Sequence, residues 1–378
     1  IFHYAGHNTL RQRIIFAALG LVAIAFAASS WQQTFIWKNS ASLWGFVLKG
    51  SAKTSPAFNN QGELLARQGK HEQALTDFKQ AAAMDPKNVE AFYNIGVSMT
   101  LSQKYDEALT YYNQALKLDP QYSKALNNRG FIYARVKGDA PAALRDLNKS
   151  IASDPRMAEA YFSRGYVYDR LQNDPLRGLA EYDQALLLKP DMIEPYYFRG
   201  TIKSDVQKNY PAAIEDFTKA ITLDPTYEEA LLSRGVAYIY TNRRELARKD
   251  FDQVLARNPQ SYSGLINRGS LFLQSGNYQA AIADYTAVLA VKPDDIFALR
   301  LRSEAYHAAA NFPPAITDLD RAITLSSEDG DLYWRRAQVH EKQKDWAKAW
   351  QDASKAQSLG IPVDKKYLDS LKKKPGLR

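Results

Sequence analysis

The sequence predicts an all-α fold, an α-solenoid of about nine helix pairs preceded by one transmembrane helix. Three observations carry this expectation. Small residues return at Gly62, Gly96, Gly130, Gly165, Gly200, Gly235, Gly269, Ser303 and Ala337, in steps of 34 or 35 residues. A second small residue follows each, from Ala74 and Ala108 to Ala315 and Ala349, and an apolar one comes four residues later, from Phe78 and Tyr112 to Leu319 and Ala353. Pro86, Pro120, Pro155, Pro190, Pro225, Pro259 and Pro293 close seven of the units. A fixed period of this size is the mark of stacked supersecondary units, each unable to bury its apolar face alone.

Taken in chain order, residues 1–13 are a basic flank with Arg11 and Arg13. Residues 14–31, IIFAALGLVAIAFAASSW, are uncharged and apolar. As a helix they extend about 27 Å, enough for a hydrocarbon core. The positive-inside rule then puts residue 1 in the cytoplasm and the remainder outside it, in a periplasm or lumen. Two rival readings stand beside this one: a signal peptide cleaved near Ala25-Phe26-Ala27, and a buried helix of a soluble protein.

Residues 32–54 are an aromatic juxtamembrane segment. Trp31 and Trp37 fall where an interfacial ring belt belongs, and Trp44 follows on a short capping helix begun at Ser40, with Leu43, Val47 and Leu48 on the same side. Residues 55–361 hold the nine helix pairs. In each, apolar residues at three- and four-residue spacing give both helices a buried stripe. The closing proline lacks an N–H and clashes with the preceding turn, so it stops the second helix. Pro141, Pro211 and Pro313 fall near the start of second helices, where a missing N–H costs little. Residues 362–378 form a capping helix with a basic tail, with Tyr367, Leu368 and Leu371 available to cover the last pair.

Composition excludes much chemistry. There is no cysteine, hence no disulfide, thiolate nucleophile or cysteine metal site. The five histidines show no zinc spacing, and no phosphate-binding glycine loop or nucleophile elbow occurs. No catalytic constellation, cofactor or metal is expected within this chain. The net charge is +8. It resides at the ends: residues 1–54 carry Arg11, Arg13, Lys38, Lys49 and Lys53 without an acid, and residues 364–378 are again basic. A basic stripe for nucleic acid along the repeats is therefore not expected.

One internal covariation stands out. The residue before the small position is Arg129, Arg164, Arg199, Arg234, Arg268, Arg302 or Arg336 in repeats 3–9, and the same repeats carry Asp146, Glu181, Asp216, Asp250, Asp284, Asp318 or Asp352 on the second helix. Repeat 2 lacks both, with Ile95 and Tyr111. A ladder of ion pairs within or between repeats follows, at about 0–1 kcal/mol each if exposed.

The pattern of small, bulky and closing residues over 55–361 resembles the tetratricopeptide repeat. That resemblance implies a groove lined by the first helix of each pair. Its positions map to Asn59, Glu63, Arg67, Tyr93, Asn127, Phe131, Arg135, Phe162, Tyr166, Arg170, Tyr197, Tyr240, Arg300 and Trp334. The implied function is binding of a protein or peptide, with Tyr93, Asn127, Phe131, Arg135, Phe162, Tyr166, Arg170 and Tyr197 as the central contacts; the competing reading is that these rings pack between neighbouring helices. The chaperone-binding members use a lysine–asparagine clamp, which Asn59/Glu63, Tyr93/Val97 and Asn127/Phe131 do not reproduce.

A second resemblance covers residues 10–62: an apolar helix, Trp37, Leu43-Trp44, Ser55-Pro56, Asn59-Asn60 and Gly62. This is similar to the junction between the last membrane helix and the repeats in polytopic O-mannosyltransferase-like membrane proteins with tetratricopeptide tails. It implies a lipid-embedded span at 14–31 and places any glycosyltransferase activity before Ile1. The expectation is a membrane-anchored scaffold for protein partners on the extracytoplasmic side. The alternatives are a single-span adaptor or assembly factor of a membrane complex, and a secreted repeat protein.

Overall fold

The computed structural model describes residues 54–375. The span expected at 14–31 and the rings expected at its edge, Trp31, Trp37 and Trp44, lie outside these residues. No helix among the described residues is long and apolar enough to cross a membrane.

The described residues form nineteen α-helices and no strand. They pair in order: α1 (Ser55–Arg67) with α2 (His71–Met84), α3 (Val89–Leu101) with α4 (Tyr105–Leu118), α5 (Ser123–Ile132) with α6 (Ala140–Ser153), and α7 (Ala158–Tyr166) with α8 (Pro175–Leu188). Then come α9 (Ile193–Asp205) with α10 (Tyr210–Leu223), α11 (Glu228–Tyr240) with α12 (Arg244–Arg257), and α13 (Tyr262–Gln274) with α14 (Tyr278–Val291). The last pairs are α15 (Ile296–Ala308) with α16 (Phe312–Leu325) and α17 (Gly330–Lys342) with α18 (Trp346–Ser358), followed by a single helix, α19 (Lys365–Lys372). We call the first helix of each pair helix A and the second helix B. The chain divides into two compact units after Leu188, the first ending with repeat 4 and the second beginning with repeat 5.

The small residue of helix A is a socket for the bulky residue of helix B. A Cβ added at Gly62, Gly96, Gly200 or Gly269 would stand 2.5–2.7 Å from the ring of Phe78, Tyr112, Phe217 or Tyr285. Those rings are almost fully buried, so the glycines let the two backbones close around them. In repeat 9 both sides change together: Ala337 faces Ala353, and both are fully buried. Each closing proline sits two residues beyond the end of its helix B, and Pro141, Pro211 and Pro313 occupy first-turn positions.

Every A–B turn contains one residue in the left-handed region: Gly69, Gln103, Gly138, Asn173, Lys208, Asn242, Gly276, Ala310 and Lys344. Only three of the nine are glycine, so six turns hold a side chain where L-residues are disfavoured. Repeats 3, 4 and 5 carry one more residue between the small positions of their helices. Repeats 3 and 4 absorb it as a π turn closing helix A, at Tyr133–Lys137 and Val167–Leu171. Repeat 5 absorbs it as a wide turn, with Asn209 N–H reaching the Lys203 carbonyl at 2.8 Å.

The arginine–acid covariation is a ladder, and it works both within and between repeats. Six of the seven arginines grip their own acid with two hydrogen bonds, from Nε and Nη2 to the two carboxylate oxygens; in repeat 6 these measure 2.9 and 2.8 Å. Nη1 reaches back to helix B of the preceding repeat in, for example, Arg129 to Asn113 (2.6 Å), Arg234 to Thr218 (3.2 Å) and Arg336 to Asp320 (2.6 Å). The aspartates are buried, Asp250 being 4% exposed. The exposed-pair expectation is therefore too low: removing one partner of a buried pair strands a charge and costs about 3–5 kcal/mol. In repeat 4 the acid is glutamate. Arg164 Nη2 meets Glu181, but its Nε is buried without an acceptor.

The array ends on α19. Leu368 and Leu371 are buried against Ala349, Ala353 and Ala356, and Tyr367 donates to Glu341 at 2.7 Å.

Candidate peptide-binding faces

The candidate site is the face of helix A in each repeat, taken separately in the two units. In the first unit one part of it lies over repeats 1–3. A cavity of about 270 Å³ is lined there by Glu63, Glu90, Tyr93, Asn94, Tyr122 and Lys124, among others. Its floor is polar: Asn94 donates to Asn59 Oδ1 at 3.0 Å and to Glu63 at 3.3 Å, and Asn59 donates to Glu63 at 3.3 Å. Tyr93 stands edge-on to Tyr122, with centroids 5.4 Å apart. Burial raises the Tyr93 pKa above its ordinary value, so this wall is neutral across the physiological range.

The next part is built by the π turns. The turn at Tyr133–Lys137 carries Arg135, and the turn at Val167–Leu171 carries Arg170. Arg135 is exposed, with its guanidinium 5.4 Å from the Phe131 ring centroid and 4.8 Å from that of Tyr166. Two rings from successive A helices hold one cation, an arrangement contributing about 0.5–1 kcal/mol per contact at an exposed site. Among the described residues Arg135 has no carboxylate partner, unlike the ladder arginines. Arg170 pairs with Asp169 at 3.0 Å.

Two of the expected contacts belong to the packing. Phe162 is 7% exposed and its ring lies 5.9 Å from that of Tyr182. Asn127 is 8% exposed; it accepts from Ser163 at 3.1 Å and donates to Asn128 at 3.1 Å. Both form floor rather than open face: Phe162 lies against Tyr182 of helix B, and Asn127 is bonded to Ser163 of the next helix A. Tyr93, Phe131, Arg135 and Tyr166 remain accessible and adjacent in successive repeats.

In the second unit, Tyr197 is partly buried against Phe198 and Tyr227 and lines a cavity of about 270 Å³ with Ser204, Asp205, Glu229, Ser233 and Asn267. The outlying positions differ. Tyr240 is 65% exposed and stacks on Tyr210 at 4.5 Å. Trp334 is covered by Tyr367 of the terminal helix, with centroids 5.4 Å apart. The π turns had only a partial signal in the sequence: 35-residue steps begin at Gly130, Gly165 and Gly200, and the last of these repeats absorbs its extra residue as a wide turn instead.

Comparison with known proteins agrees with this architecture. The tetratricopeptide repeat family profile matches residues 59–123, 128–193 and 232–296, more than half of the chain. Among solved structures, the chain is similar to a tetratricopeptide repeat protein from Parabacteroides merdae, at 23% identity and a TM-score of 0.49, over 66% of this chain and 97% of that one. It is also similar to PilF of Pseudomonas aeruginosa, at 18% identity and a TM-score of 0.50, over 56% of this chain and 94% of that one. The likeness to PilF concerns the fold alone. No curated protein matches the sequence. With helix pairs, sockets and period all in place, the chain belongs to the tetratricopeptide repeat family.

Proposed function

We propose that this protein is a membrane-anchored docking scaffold that takes an extended peptide segment of a partner protein along the A-helix face of its first unit. The observation that carries the reading is the Phe131–Arg135–Tyr166 stack. A guanidinium fixed between two rings keeps its outward N–H groups available in a set orientation, which suits a carboxylate on the bound segment. The aromatic wall at Tyr93 and the amide floor around Asn94 and Asn128 supply apolar contact and hydrogen bonds for a peptide backbone. The preferred ligand is an extended segment with an acidic residue opposite Arg135.

The anchor and the extracytoplasmic placement are supported by sequence: the apolar run 14–31, its flanking Arg11 and Arg13, and the tryptophans after it. The resemblance over residues 10–62 supports the sharper form, in which these repeats are the C-terminal region of a multi-span glycosyltransferase-like protein.

Two experiments test the reading. Crosslinking capture of partners is compared between the full chain and an Arg135→Ala/Tyr166→Ala variant. Capture falls about tenfold or more if this face binds, given the usual weight of aromatic and arginine anchors; unchanged capture rejects the face. Protease added to sealed vesicles of known orientation locates the repeats, and the coding sequence upstream of Ile1 separates a multi-span transferase from a single-span adaptor.

A further inference from the structure

The cavities over repeats 1–3 and over repeats 5–7 are built at equivalent places in the repeat, and they differ in charge. Arg67 stands five residues after Gly62, and Lys124 six before Gly130; both line the first cavity, where they offset Glu63 and Glu90. In the second cavity the equivalent places, five after Gly200 and six before Gly269, hold Asp205 and Ser263. Glu229 stands where Glu90 does, six residues before its glycine. The second cavity, of about 270 Å³, is therefore lined by two carboxylates and, among the described residues, by no lysine or arginine. Asp205 and Glu229 are both exposed, and neither has an ion-pair partner among the described residues. They do not gather with a third ligating residue into a metal-binding group.

Other polar groups of this cavity also lack partners. Ser204 lines it, is only 8% exposed, and makes no side-chain hydrogen bond among the described residues. A polar group buried to that extent is ordinarily satisfied, so its freedom points to a ligand. The half-buried Asn267 amide is unbonded as well, for a reason that the first unit shows. Its counterpart Asn128 donates to the hydroxyls of Tyr93 and Tyr112, each at 3.4 Å. The equivalent places around Asn267 hold Leu232 and Phe251, which have no hydroxyl. Leu232 and Val236 give the cavity an apolar side.

We propose that the cavity over repeats 5–7 is a second binding site, which takes a lysine side chain from an extended segment of a partner protein. The ammonium donates to Asp205, Glu229 and Ser204, and the alkyl stem lies against Leu232 and Val236. The acceptors come from three helices, α9, α11 and α13. The diverging donors of an ammonium can serve them together, whereas a guanidinium fork is matched to a single carboxylate. The charge preference is opposite to that of the Arg135 stack, and the site stands independently of it.

The test is methyl NMR on the full chain, following the Leu232 and Val236 signals during titration. The probes are N-acetyl-lysine methylamide, its norleucine analogue and n-butylammonium. The lysine probe shifts both sets of signals. The norleucine analogue keeps the stem without the charge and binds about tenfold more weakly or worse; equal binding overturns the proposal. The n-butylammonium ion lacks the peptide groups and binds several-fold more weakly than the lysine probe. Equal or tighter binding of that ion assigns the cavity to a free amine and overturns a lysine-bearing segment. Asp205→Asn/Glu229→Gln lowers affinity for the lysine probe about tenfold, and an unchanged affinity rejects the site. Both side chains are exposed and unbonded, so the fold tolerates the change. Asp205→Arg reproduces the charge that Arg67 gives the first cavity and abolishes binding; retained binding contradicts the proposal. Both reporters lie in the second unit, so a failure of the Arg135 face leaves these readings unchanged.

Discussion

In repeat 6, Arg234 donates to both oxygens of Asp250 at 2.9 and 2.8 Å and to Thr218 of the previous repeat at 3.2 Å. In repeat 2 the same two positions are Ile95, 1% exposed, and Tyr111, packed in the cluster with Phe78 and Tyr112. The helix pair closes equally well around either. The ion pair is therefore no requirement of the fold. It is one of two self-consistent ways to fill a site between helices A and B, and an apolar pair of similar volume is the other. Repeat 1 holds only half of the pair, Asp77 without an arginine, and its Oδ2 is buried without a partner among the described residues. The arginine adds one thing that isoleucine cannot: a directed bond to the neighbouring repeat.

The largest expected effect comes from making repeat 6 half a solution. Asp250→Asn leaves Arg234 without its anion in a mostly buried site and costs about 3 kcal/mol, measured as lost exchange protection in α11 and α12. The paired replacement Arg234→Ile/Asp250→Tyr imitates repeat 2 and costs about 1 kcal/mol or less. If the pair costs as much as the single change, the two solutions are not equivalent and the comparison fails.

Next in size is the socket. Gly200→Ala drives a Cβ to 2.7 Å from the Phe217 ring and costs about 1–3 kcal/mol through overpacking. Repeat 9 already holds alanine there, with Ala353 in place of the ring. Gly200→Ala/Phe217→Leu should recover part of the loss, because the ring edge that meets the new Cβ is removed. A double variant less stable than either single would show that socket and ring are not complementary.

Repeat 4 sharpens the comparison from within. Its rung is occupied but misfitted, since Glu181 is one methylene longer than the aspartates and Arg164 Nε is left without an acceptor. Glu181→Asp should let the fork close and stabilise α7 and α8 by about 1 kcal/mol, the worth of one recovered buried hydrogen bond. A crystal structure of the variant with Nε still unpaired would refute this.

The array and the ladder partners were legible in the sequence because they follow from period and residue size. Gly62 with Phe78, or Arg129 with Asp146, needs no more than the spacing. The depth of the site was harder to read. Phe162 and Tyr93 hold equivalent positions, yet one is floor and the other wall, a difference in burial that the repeat period does not encode. The Arg135 stack depended on a π turn, whose trace is one extra residue in the step from Gly130.

The smallest effect concerns turns. Ala310 and Gly276 do the same work in neighbouring repeats, at φ +57° and +77°. Glycine adopts this region freely, whereas alanine brings its Cβ against the following carbonyl at about 1–2 kcal/mol. Ala310→Gly relieves that strain but enlarges the freedom of the unfolded chain, which offsets about 0.4–1 kcal/mol of it. The net expectation is a gain of about 0.5 kcal/mol in repeat 8, against a loss of about 1 kcal/mol for Gly276→Ala in repeat 7. Opposite signs at two equivalent turns would isolate backbone conformation from the rest of the repeat, since a Cβ at Gly276 meets nothing within 4 Å. Equal signs would mean that the turn conformation is not what limits these repeats.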